Sequence, residues 1–221
     1  MVEIELKARL QDIAGFFSKV SSFARFQRCC YKDDTYWKEP VKEIQIRLRE
    51  EEVFFTDFSQ LHLQQWPTEP IVSDGKKWIP FEKPTENESS PSSARNIVVT
   101  YKRKAVLGSS FEVNQEQEFQ IDKREPLEIF LQDTGFSISL KKEKLVAAWE
   151  WENVTLELCF IPELGNFLEL EVLSSCDAPE VVAAARKKLR AVLALCGVAE
   201  SAIEGKYYSQ LLQEVRNPGN N

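Results

Sequence analysis

Charged residues recur in this chain as pairs at spacing two: Glu3/Glu5 with Lys7 beyond them, Arg47/Arg49, Lys102/Lys104, Glu116/Glu118, Lys142/Lys144 and Glu169/Glu171. In a strand, alternate side chains point to opposite faces, so each pair shares one face. In "VEIELK" the acids alternate with Val2, Ile4 and Leu6; in "EIQIRLRE" the arginines alternate with Ile44, Ile46 and Leu48; in "FLELEVL" the acids alternate with Leu168, Leu170 and Val172. Basic pairs suit phosphate oxygens, Arg through bidentate contacts and Lys as a point charge. Acidic pairs suit a hard divalent cation such as Mg²⁺, which takes oxygen ligands and bridges carboxylates to phosphates. One cavity holding both kinds of pair would accept a metal–polyphosphate complex.

Taken one strand at a time, each charged face fits an antiparallel sheet with one solvated side. Taken together the faces sort by sign, which a solvated face does not require. At least eight segments read as strands and about four as helices. A sheet of that size can close into a barrel and lose its edges. If the apolar faces turn outward against the helices, the charged faces line the interior. A mixed-charge interior is costly unless its charges meet partners or ligands.

The elements that would position these residues follow from periodicity. Strands are expected at 1–10, 31–38, 43–50, 97–104, 111–121, 136–144, 146–152, 154–160 and 167–173. A helix is expected at 11–25, weakened by Gly15, and another at 125–134, with Pro126 in its first turn and Gly135 after its end. A longer helix would start with Asp177 as N-cap and Glu180 three residues later, and end at Gly197; a last short one carries "KYYSQLL". Residues 58–95 hold Pro67, Pro70, Pro80, Pro84, Pro91 and "ENESSPSSARN", the texture of a long loop. A surface insertion is preferred there to a lid, with Trp66, Trp78 and Phe81 packing part of it onto the body. The expected organisation is a single domain over 1–215 with a frayed tail at 216–221.

Composition excludes several classes. The net charge of −7 argues against general nucleic-acid binding, though not against a basic pocket. No apolar run reaches the length of a membrane span, and the opening residues lack a basic-then-apolar leader pattern. The five cysteines fit no zinc spacing, and a reducing, cytoplasmic setting is expected. The single histidine, His62, lies in "SQLHLQQWP", which carries no catalytic signature.

The motifs together resemble the CYTH superfamily, the triphosphate tunnel metalloenzymes. "EIELK" resembles that family's E-x-E-x-K signature, and "DTY" (34–36), "IRLR", "VTYKRK", "EQE", "KEK", "LGNFLELE" and "YYSQLL" follow in order over almost the whole chain. The resemblance implies an α+β protein built on an antiparallel eight-stranded β-barrel tunnel, with helices packed outside. It also implies a small-molecule triphosphate substrate and Mg²⁺ or Mn²⁺. Glu3, Glu5, Glu169 and Glu171 would hold metal. Lys7, Arg47, Arg49, Lys102, Lys142 and Lys144 would grip phosphate, and Glu116 and Glu118 would be further tunnel acids. The catalytic part falls to Glu5, which would orient and deprotonate water, and to Lys7.

Some positions depart from the family pattern. Cys159 stands where an aspartate is usual, on the same face as Glu157, and a thiolate suits softer metals than Mg²⁺. Asn114 and Lys144 stand where arginine is commoner, and 58–95 replaces a short hairpin. The expected activity is metal-dependent hydrolysis of an inorganic or organic triphosphate. The alternatives are a class IV-type adenylyl cyclase making cyclic AMP and pyrophosphate, or a weakly active or non-catalytic triphosphate-binding module. A homodimer is possible through the apolar residues of 58–95.

Overall fold

A computed structural model describes residues 1–41, 44–71, 81, 96–106 and 111–217, with the side chains of 102–106, 111, 112 and 114–116 outside the description. Trp78, most of the proline-rich segment and the end of the expected tail also lie outside the described residues. The strands are β1 (Val2–Arg9), β2 (Arg25–Glu39), β3 (Ile44–Phe55), β4 (Asn96–Val106), β5 (Phe111–Ile121), β6 (Ser137–Trp151), β7 (Val154–Ile161) and β8 (Gly165–Ser174). The helices are α1 (Ile13–Val20), α2 (Glu125–Asp133), α3 (Pro179–Leu195) and α4 (Tyr208–Arg216). Every strand pairing is antiparallel, and β1 pairs with both β5 and β8. The order β1-β5-β4-β3-β2-β6-β7-β8 therefore closes into a barrel, and the expected α+β class holds.

The apolar faces turn outward. Ile4, Leu6 and Ala8 of β1, Leu156 and Leu158 of β7, and Leu168 and Leu170 of β8 join Phe16 and Phe17 of α1 and Leu189, Val192 and Leu193 of α3 in one buried cluster. Each of these larger side chains stabilises the fold by roughly 1.5–3 kcal/mol, and Ala8 by less. On another side of the wall, Trp37, Leu48 and Val99 pack with Leu127 and Leu131 of α2. With its apolar side covered, the opposite face of each strand lines the interior.

Local chemistry explains where the elements differ from expectation. Helix α1 stops at Val20 rather than running to 25, because the Ser21 and Ser22 hydroxyls donate back to the Phe17 and Lys19 carbonyls and compete with the helix. Gly15 serves the N-cap: its N–H donates to Asp12 Oδ1 at 2.8 Å, and a Cβ there would come 2.1 Å from an Asp12 carboxylate oxygen. The expected strands 136–144 and 146–152 are one strand, β6. Asp177 does not cap α3. Pro179 occupies N1, the residue before it is extended, and Ala178 is the N-cap. Gly197, at φ +74°, supplies the expected left-handed turn after the helix.

The start of the proline-rich segment is packed. Two 3₁₀ turns, Phe58–Gln60 and Leu63–Gln65, lead to the buried Trp66. The Trp66 indole packs edge-on against Phe17 and donates to Asn166 Oδ1 at 2.8 Å, while Asn166 donates to the Pro67 carbonyl at 2.9 Å. Phe81 is buried against Phe54 and Phe55, so the packing expected of Trp66 and Phe81 is present. His62 is exposed at a turn.

Candidate active site: a charged barrel interior

Register alone places the charged pairs beside one another. Across β1 and β8, Glu5 lies opposite Glu171 and Lys7 opposite Glu169. Across β2 and β3, Asp34 lies opposite Arg49; across β2 and β6, Lys32 lies opposite Lys144 and Asp34 opposite Lys142. Across β4 and β5, Thr100 lies opposite Glu118 and Lys102 opposite Glu116. The Lys102 and Glu116 side chains are outside the described residues, so those two assignments extend no further than register.

The basic groups are held by carboxylates. Arg49 makes a bidentate pair with Asp34, at 2.6 and 2.9 Å, and Lys142 Nζ is 3.3 Å from the second Asp34 oxygen. Asp34 is 0% exposed. Burial alone would raise its carboxyl, but Arg49 and Lys142 outweigh burial and hold it well below the usual carboxylate range. Arg47 donates to Thr100 Oγ1 at 2.8 Å and to the more exposed Glu118 at 3.2 Å, and Thr100 donates to the same Glu118 oxygen at 2.7 Å.

A second cluster lies further round the wall. Among the described residues, ligand atoms of Glu157, Cys159 and Glu169 lie within 4.8 Å of one another. Lys144 Nζ sits among them, 2.8 Å from Glu169, 3.4 Å from Glu157 and 3.6 Å from Cys159 Sγ. Lys32 Nζ holds the other Glu157 oxygen at 2.7 Å. Burial works against both acids, but Lys144 brings Glu169 down to about 2, and Lys32 with Lys144 lowers Glu157 further. Burial and the nearby Glu169 charge push the Cys159 thiol well above its usual range, so it is protonated at neutral pH. Beyond it, Cys30, Val146, Ala148 and Cys159 form a small apolar cluster on the inner wall.

Helix α4 contributes Tyr208. Its ring lies 4.4 Å from Lys7 Nζ and 4.7 Å from Lys142 Nζ, cation–π contacts that bring two ammonium groups to one place. The Tyr208 hydroxyl is buried beside Glu169, and burial together with the Glu169 charge pushes the phenol well above its usual range. Leu211 and Leu212 anchor the helix on Ile161 and Phe167.

Glu5 and Glu171 suit a hard cation. The two stand directly opposite in the ladder, and their carboxylates are oxygen donors of the kind a hard divalent ion takes. The Glu157–Cys159–Glu169 group fits less well, since it has one protonated sulfur and an ammonium already within it. Of the expected residues, Glu3, Glu5, Lys7, Glu169 and Glu171 stand on adjoining β1 and β8, and Lys142 and Lys144 stand on β6. Arg47 and Arg49 stand on β3. Lys32, Asp34 and Tyr208, to which periodicity gave no role, also make contacts in this group, as does Glu157, which alternation placed on one face with Cys159.

No protein-family model matches the sequence, and no curated protein matches it. Solved structures do. The PH1819 protein from Pyrococcus horikoshii superposes with a TM-score of 0.68 at 23% identity, over 96% of this chain and 98% of that one. A proposed adenylate cyclase from Vibrio parahaemolyticus gives 0.63 at 15% identity, over 96% and 98%. A proposed adenylyl cyclase from Hippeastrum, described as revealing a dominant triphosphatase activity, gives 0.55 at 15% identity, over 98% and 96%. These likenesses, which run over almost the full length of both chains in each case, show a shared fold.

Proposed function

We propose that the protein hydrolyses a triphosphate, inorganic or organic, inside the barrel, with Mg²⁺ or Mn²⁺ as cofactor. The observation that supports this most is the inner wall, where Lys7, Arg47, Arg49 and Lys142 come from three strands and Lys7 lies opposite Glu169 in the β1–β8 ladder. The fold neighbour described as a triphosphatase agrees with it.

Phosphoryl transfer needs in-line positioning and cancellation of charge on the non-bridging oxygens. Arg47 and Arg49 offer planar bidentate donors, and Lys7, Lys142 and Lys102 would offer point charges, while Lys144, expected to do the same, is held by Glu157 and Glu169. Asp34 keeps Arg49 and Lys142 in place before substrate arrives, so little reorganisation is needed on binding. Glu5 takes the role of orienting and deprotonating the attacking water. Glu3, Glu5 and Glu171 would hold the metal, which supplies further charge cancellation on the phosphate chain. Glu169, expected to join them, is instead paired with Lys144.

The test is incubation with tripolyphosphate or ATP and Mg²⁺ or Mn²⁺. Release of orthophosphate is expected. Cyclic AMP from ATP would make the chain a cyclase, binding without turnover would make it a binding module, and no binding of tripolyphosphate would sink the reading.

A further inference from the structure

The Glu157–Cys159–Glu169 group has the composition of a cation site, and a cation of the protein's own already sits in it. Lys144 Nζ lies within 3.6 Å of all three side chains, and its own side chain is 4% exposed. Lys32 Nζ, on a side chain 3% exposed, is 2.7 Å from Glu157. The two carboxylates are balanced by the two ammonium groups, Arg28 and Glu51 add one charge of each sign at 4.0 Å from Glu157 and Lys32, and the thiol adds none. A divalent ion entering this group would meet Lys144 at close range in a poorly solvated place, where like charges repel most strongly. It would also gain one sulfur that hard cations bind poorly.

We propose that Lys144 is the resident cation of this cluster, standing in for a metal ion, so that divalent metal is confined to the Glu3–Glu5–Glu171 region of the tunnel. The second half of this statement rests on the triphosphatase reading; the first half does not. Cys159 sets the balance. An aspartate at 159 would leave one carboxylate charge over, and three oxygen donors would then suit Mg²⁺ or Mn²⁺. It follows that proton removal from water falls to a carboxylate rather than to a second metal ion.

The test counts Mn²⁺ bound to the full chain in the absence of any triphosphate, from the loss of the free-ion electron paramagnetic resonance signal. Glu157→Gln is expected to leave the wild-type count unchanged. Cys159→Asp is expected to bind one more Mn²⁺ per chain, and Lys144→Met, with its fold checked by circular dichroism, to gain the same site. Loss of a wild-type Mn²⁺ in Glu157→Gln would overturn the proposal. So would Cys159→Asp and Lys144→Met proteins that fold and gain nothing. Since no triphosphate is present, these counts do not depend on turnover, and failure to hydrolyse tripolyphosphate would overturn only the functional reading.

Discussion

Asp34 is where the basic groups of the tunnel converge: one fully buried carboxylate carries both Arg49 and Lys142. Removing it leaves two buried cations uncompensated. Asp34→Ala is therefore expected to cost about 3–5 kcal/mol, read from urea unfolding, and tripolyphosphate is expected to recover part of the loss by replacing the missing anion. The pH dependence has a definite sign. The folded carboxyl titrates well below its ordinary value, so its contribution is complete above an unfolded value of about 3.9 and is lost as pH falls through the folded one. Asp34→Asn should flatten this acid limb of the stability curve. An unchanged limb would assign acid sensitivity to other groups. Asp34 and Lys32 were hard to find in the sequence because "YKDDTYWK" does not alternate cleanly. The outward residues Asp33 and Thr35 of β2 are polar, so no apolar stripe marks the other face as functional. Glu3, Glu5, Arg47 and Arg49 were legible because their neighbours are Val, Ile and Leu that must be buried.

At the scale of elements, the same rule shows where periodicity fails. In β6 the alternation breaks at Leu145–Trp149, because Val146 and Ala148 meet apolar groups on the inner wall while Leu145, Ala147 and Trp149 meet the helices outside. A strand buried on both faces reads as a continuous apolar run, and one strand looks like two. The packed start of the long insertion was partly legible, since Trp66 and Phe81 pointed to packing on the body, but Asn166, the partner of Trp66, is 100 residues away. Trp66 fastens that segment against α1 on the outer wall. Trp66→Ala is expected to cost about 3–5 kcal/mol in urea unfolding. Trp66→Phe keeps the ring but strands the Asn166 carbonyl, at about 1–3 kcal/mol. Because the contact lies outside the barrel, Trp66→Phe should leave kcat/KM for tripolyphosphate unchanged; a marked fall would make the segment part of the tunnel mouth instead.

At the scale of the molecule, a chain of net charge −7 keeps a cluster of basic groups inside a closed wall. Closure itself depends on β1 pairing with β5 and with β8, contacts between distant segments that no local pattern encodes; the sorted charges pointed to it only as the way to shelter so many ionic faces. The wall makes ligand binding and stability one quantity. A polyanion that bridges lysines and arginines on β1, β3 and β6 ties those strands together in the folded state and has no such site in the unfolded chain. At one hundred times its dissociation constant, a ligand stabilises the fold by about 2.7 kcal/mol. For a domain of this size that corresponds to a rise of roughly 5–10 °C in Tm. Tripolyphosphate is expected to produce a shift of this order in a thermal melt, and the shift should shrink as salt screens the entrance. Lys7→Ala and Arg49→Ala remove contacts on opposite parts of the wall, so each should reduce the shift and the double variant should abolish it. A wild-type shift that survives both substitutions would place the anion on the outer surface and leave the barrel interior as a purely structural network of ion pairs.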